Sequence, residues 1–235
     1  MSLLRHLPNA ITCGNLLGGC AGILFCFQAV PDLAWAAYMI YAAAILDFFD
    51  GFVARLLKVS SPIGKELDSL ADVVSFGVLP GFIVYQLLQA AGQPYLPFLA
   101  LIIPVCSALR LAKFNVDTRQ SDSFIGVPTP ANALLISALP LMGAFPNNLL
   151  AQWLLPLAQQ PWIVAGLAVV MSLLLVSELP LLALKFKGFA WEKHKFQYIL
   201  MASAAVLFLA FNFAAIPVII ALYIILSFIK NNLST

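Results

Sequence analysis

Five carboxylates, Asp47, Asp50, Glu66, Asp68 and Asp72, crowd into one stretch of a chain that is only 9% charged, and they are half of its ten acidic residues. On a helix, Asp47 and Asp50 lie three apart, with Gly51 and Ala54 following on the same face and Arg55 at its edge. On the next helix Gly64, Asp68 and Asp72 recur every fourth residue, with Ser75 beside them, while Glu66 points elsewhere. The connection through Ser60, Ser61 and Pro62 is short, so the two helices are antiparallel neighbours and the two acidic faces meet. An ionised Asp at the centre of a membrane helix costs about 2.5–3.5 kcal/mol, so four unpaired ones cost on the order of 10 kcal/mol. Arg55 alone does not neutralise four carboxylates. Oxygen-only ligands from two helices suit hard divalent cations, Mg²⁺ or Mn²⁺, rather than zinc. Two such ions would balance the four charges. Gly51 and Ala54 leave room beside the acids for a bulky polar group, as a nucleotide would be.

The elements that must position these residues are membrane helices. The chain is 63% hydrophobic with net charge +2 and mean hydropathy +0.99, far from the roughly 25% charged composition of a soluble domain. Apolar runs near the ~20 residues needed to cross a bilayer recur throughout. Turn residues divide them into about eight spans, at Leu7–Gln28, Leu33–Leu57, Gly64–Ala90, Leu96–Asn115, Val127–Phe145, Trp162–Leu184, Gln197–Phe211 and Ala215–Ile229. Asn212 favours a turn between the last two over one helix kinked at Pro217. The first run lacks the pattern of a cleaved signal peptide and reads as a retained helix.

The twelve basic residues fall in alternate connections. They are Arg5, then Arg55, Lys58 and Lys65, then Arg110, Lys113 and Arg119, then Lys185, Lys187, Lys193 and Lys195, and finally Lys230. Asp32 is the charge in the other connections. By the positive-inside rule the basic side is cytoplasmic. The expected fold is therefore all-α: a polytopic membrane helix bundle with both termini cytoplasmic, residues 1–235 forming one domain and the acids hanging just inside the cytoplasmic face. Nothing in the chain suggests a nucleic-acid partner.

Cys13, Cys20, Cys26 and Cys106 make no metal-ligand spacing and are read as packing residues. His6 and His194 sit at segment ends and are read as interfacial. Gly14, Gly18 and Gly22 form a small-residue face suited to close helix contact, within the chain or between two copies. Arg110 and Lys113, three apart at the end of the fourth span, are read as facing one way. They serve either as snorkelling bases or as the group that receives an anionic substrate, for which the planar fork of Arg110 is the better match. Glu178 is a lesser candidate for an ammonium.

The run D-x-x-D-G-x-x-A-R, then G-x-x-x-D-x-x-x-D after eight residues, resembles the signature of the CDP-alcohol phosphatidyltransferases. It passes through Asp47, Asp50, Gly51, Ala54, Arg55, Gly64, Asp68 and Asp72 without a departure. "LPNAITCGNLLGG" from Leu7, "GKELDSLADVVSFGVLP" from Gly64, "ALRLAKFNV" from Ala108 and "FIGVPTPANA" from Phe124 are similar to the bacterial branch whose acceptor alcohol is L-serine. The resemblance covers most of the first 135 residues, and "VSELPLLALKFK" from Val176 matches only loosely.

The resemblance implies reaction of CDP-diacylglycerol with L-serine in the bacterial inner membrane, a homodimer, and a polar cavity open to the cytoplasm. It implies that Asp47, Asp50, Asp68 and Asp72 hold metal, with Asp72 also the catalytic base toward the serine hydroxyl. Gly51, Ala54, Arg55 and Gly64 resemble the family's cytidine and diphosphate contacts. Asn9, Thr12 and Ser61 are additions to these, and Asn15 is a weaker one. Arg110 and Lys113 are the candidates for serine itself. Two rivals remain at this stage: another acceptor, of the glycerol phosphate or inositol type, and a cation- or proton-coupled transporter, which also carries intramembrane acids.

Overall fold

The computed structural model describes residues 3–59, 61–117, 124–182 and 191–233. Ser60, Arg119, Lys185 and Lys187 from the sequence reading lie outside them. The described chain is a helix bundle. Its helices are α1 (Leu7–Cys26), α2 (Leu33–Leu57), α3 (Pro62–Val73), α4 (Leu79–Gln89), α5 (Ile102–Val116), α6 (Thr129–Leu141), α7 (Leu149–Ala158), α8 (Pro161–Val176), α9 (Trp191–Phe211) and α10 (Ala215–Leu233). A π-helical turn, Val74–Val78, joins α3 to α4, so the two form one continuous element. One small departure from an all-α fold is an antiparallel pair, β1 (Phe124–Ile125) with β2 (Pro180–Leu181).

Local chemistry explains the boundaries. Asp32 caps α2 by accepting from the Trp35 N–H at 3.0 Å, and α2 ends where Lys58 turns left-handed at φ 51°. Ser61 caps α3, its hydroxyl accepting from the Gly64 N–H at 2.9 Å, and Pro62 opens the helix, where a missing N–H is harmless. Asn212, at φ 50°, breaks the chain between α9 and α10, the turn that its residue type favours. The rings of Tyr38, Tyr41, Phe145 and Phe208 gather around Phe213 at that turn.

Each of the eight expected segments contains helix, but not all of these helices are long enough to span. By length and apolarity four qualify among the described residues: Leu4–Cys26, Pro62–Gln89, Leu96–Val116 and His194–Asn232. A fifth arises if Thr129–Ala144 and Leu149–Ala158, bent by 113°, count as one span. The helix α8 has 16 residues, short of the ~20 that a bilayer demands. Large apolar side chains such as Leu17, Leu24, Phe48, Phe52, Val206 and Leu209 are exposed, as lipid contact requires.

Several expectations are corrected. The sixth segment ends at Val176 and not Leu184, so Glu178 is exposed and off the helix. The helix α7 was not expected at all. Cys13 and Cys20 are exposed, and only Cys26 and Cys106 are packed inside. His194 is buried, within α9 at a kink, and stands at the start of a candidate span. The glycine face of α1, by contrast, packs within the chain, the favoured of its two readings: a Cβ at Gly18 would meet Ala43 of α2 at 3.7 Å, and one at Gly22 would run into Leu79 of α4.

Candidate active site

Helix α1 packs on both α2 and α3, and the acids of those two helices lie beside it. Asp50 and Asp72 are buried, Asp47 and Asp68 half-buried, and Glu66 is exposed. One carboxylate oxygen each from Asp47, Asp50 and Asp68 comes within 4.8 Å of the others. Asp72 is outside that trio, but its carboxylate interacts with those of Asp47 and Asp68. The two faces drawn from helical periodicity therefore do meet.

Two of the acids take hydrogen bonds from α1. Thr12 Oγ1 lies 2.7 Å from Asp50 Oδ2 and also 3.0 Å from the Pro8 carbonyl. Asn15 donates to Asp72 at 3.4 Å, and Ser75 in the π turn donates to the Asn15 carbonyl at 3.0 Å. Asn15, the weaker candidate in sequence, thus contacts an acid directly. Arg55, which shares the signature, turns back: its Nε donates to the Gly51 carbonyl at 2.9 Å, and the residue is exposed. The donor set fits a hard divalent cation: three carboxylates converge on a small volume with one oxygen from each within 4.8 Å of the others.

Beside the acids is a cleft of about 210 Å³ lined by Arg5, Asn9, Thr12, Asp50, Gly51, Ala54, Ser61, Gly64, Lys65 and Asp68, with Pro8 and Val59. Every nucleotide candidate except Arg55 and the weaker Asn15 is among them. Nothing lies within 4 Å of a Cβ built on Gly51, so that face is open. Gly64 is different, because a Cβ there would fall 2.9 Å from Asn9 Oδ1 and 3.0 Å from Ser61 Oγ. Arg5 and Lys65 line the cleft although sequence reasoning used them only for topology. The signal was available for Lys65, which lies in the first turn of the acid-bearing α3, and weaker for Arg5, which stands before α1, a helix without acids. Lys65 is also held by the Asn115 carbonyl at 3.1 Å.

Arg110 and Lys113 do not share a fate. Arg110 is buried at 7% exposure; its Nη1 donates to Thr129 Oγ1 at 3.1 Å and it feels the charge of Asp72. Lys113 is exposed. The expectation that they face one way is corrected: positions three apart are offset by about 60° around the helix, and here the edge of the buried face falls between them.

Comparison with known proteins agrees with this geometry. The profile of the CDP-alcohol phosphatidyltransferase family matches residues 5–174, most of the chain, and the chain belongs to that family. Three similar proteins carry the name CDP-diacylglycerol–serine O-phosphatidyltransferase. The protein of Mycobacterium leprae (strain TN) is 40% identical over 143 residues, covering 58% of this chain and 47% of the relative. That of Bacillus subtilis (strain 168) is 38% identical over 128 residues, covering 54% and 71%. That of Helicobacter pylori (strain J99 / ATCC 700824) is 40% identical over 136 residues, covering 57% and 56%. The chain spans about half the length of the first of these relatives.

Proposed function

We propose that this chain transfers the phosphatidyl group of CDP-diacylglycerol to the hydroxyl of L-serine, giving phosphatidylserine and CMP. The observation that carries the reading is the convergence of Asp47, Asp50 and Asp68 beside a cleft lined by Asn9, Thr12, Gly51, Ala54, Ser61 and Gly64. The names of the relatives support serine as the acceptor. In this reading residues 1–235 act as one domain in the bacterial plasma membrane, with about eight spans, both termini and the site at the cytoplasmic face, and two copies forming a homodimer. The basic residues in alternate connections support that orientation.

Asp47, Asp50 and Asp68, with Asp72 at the edge, would hold two ions, Mg²⁺ or Mn²⁺. When bound, such ions neutralise charge on the diphosphate and align its reacting phosphorus. The chain's own residues do the rest. Gly51, Ala54 and Gly64 let the nucleotide approach the backbone, and Asn9, Thr12 and Ser61 offer polar contacts, with Arg55 at the cleft's rim. Arg110 receives the serine carboxylate, with Lys113 outside it at the surface. Asp72 accepts the serine Oγ proton, the Oγ bonds to the phosphorus that bears the diacylglycerol, and the P–O bond to CMP breaks with its electron pair leaving on CMP.

An acceptor screen tests this. Purified protein with CDP-diacylglycerol and Mg²⁺ or Mn²⁺ should release CMP with L-serine and not with glycerol 3-phosphate or inositol. Release with one of those instead would move the chain to another acceptor. The absence of release with any acceptor would contradict the transferase reading.

A further inference from the structure

A second set of buried polar atoms without hydrogen-bond partners lies beyond the aspartates. It comprises Ser107 Oγ and Arg110 Nε on α5, both amide atoms of Asn132 on α6, and Ser172 Oγ on α8. Ser107 and Arg110 are three apart, as are Thr129 and Asn132, so each pair shares a side of its helix. The Arg110–Thr129 bond of 3.1 Å joins the two sides, and α8 packs on α5. Asn132 is the most exacting member: it is fully buried, and a carboxamide brings two donors and an acceptor oxygen. Folded proteins rarely leave such a group unmet, and the exceptions call for an explanation.

We infer that Asn132 is a specificity-determining residue for the acceptor, its Oδ1 accepting from the α-ammonium of serine while the Arg110 guanidinium takes the carboxylate. The inference rests on the serine reading proposed above. Arg110 alone does not choose, because a guanidinium binds the phosphate of glycerol phosphate as readily as a carboxylate. A neutral amide oxygen beside it does choose, since the ammonium is what serine has and the other acceptors lack.

The test uses the full chain with Asn132→Leu and Asn132→Ala, the second serving if the first does not fold. The KM for serine should rise about tenfold or more, while the KM for CDP-diacylglycerol changes less than about twofold. Serine should raise the melting temperature of the wild type and not of the variants. Without serine, Asn132→Leu should melt no lower than the wild type, since it removes an unmet buried amide. An unchanged serine KM, or serine and CDP-diacylglycerol KM values rising together, overturns the inference while a serine-using wild type leaves the acceptor reading standing. A wild type that uses only glycerol phosphate or inositol overturns both.

Discussion

Thr12 on α1 and Asp50 on α2 meet through a buried hydrogen bond of 2.7 Å, which ties the first helix to the acidic face of the second. Replacing Thr12 by Val keeps the shape and removes the donor, leaving a buried carboxylate oxygen short of a partner. The expected cost is about 1–3 kcal/mol of stability, read as a lower melting temperature in detergent. Serine-dependent CMP release should fall as well, because Asp50 loses the contact that orients it. Full activity would mean that the bond is incidental.

Two glycines separate a packing role from a binding role. A Cβ at Gly19 would sit 2.5 Å from Ser75 Oγ and 2.9 Å from Ser75 Cα, so Gly19→Ala must push α1 off the π turn and should destabilise by about 1–3 kcal/mol. Gly51 has open space around it. Gly51→Ala should fold at least as well, gaining about 0.5–1 kcal/mol of helix propensity, yet its KM for CDP-diacylglycerol should rise about tenfold or more. A Gly51→Ala enzyme with wild-type KM would show that no ligand approaches that face.

Arg110 is buried and bonded to Thr129, whereas Lys113 is exposed. Arg110→Lys keeps the charge but loses the planar fork, so its KM for serine should rise by about tenfold or more. Lys113→Ala should change the same constant by less than about threefold, as expected of an exposed charge. Equal effects at both positions would contradict the burial-based choice between them.

The parts of this fold that could be read from sequence are those with a periodic or chemical signature. Helix α2 was expected at Leu33–Leu57 and lies there, because Pro31 and Asp32 mark its start and the basic turn at Lys58 its end. The meeting of Asp47 and Asp50 with Asp68 followed from intervals of three and four residues. The π turn at Val74–Val78 has no such signature, since one extra residue per turn leaves composition unchanged. Helix α7 was hidden because the 113° bend follows from Asn148, which caps α7 through the Ala151 N–H at 2.7 Å and reaches the Phe211 carbonyl at 3.2 Å. That second partner is distant in sequence. Asn132 was passed over for the same reason: an amide in an apolar helix looks ordinary until its neighbours are seen to leave it unmet.

The account rests on divalent cations held by Asp47, Asp50 and Asp68, and manganese binding followed by electron paramagnetic resonance tests it most directly. Purified wild-type protein with CDP-diacylglycerol should bind about two Mn²⁺ per chain. Asp68→Asn should lose at least one of them, and with it that ion's stabilisation of the fold, about 2.7 kcal/mol at a hundredfold excess of metal over Kd, read as a smaller metal-dependent rise in melting temperature. Equal Mn²⁺ binding by the wild type and by a protein carrying Asp47→Asn, Asp50→Asn and Asp68→Asn together would contradict the account.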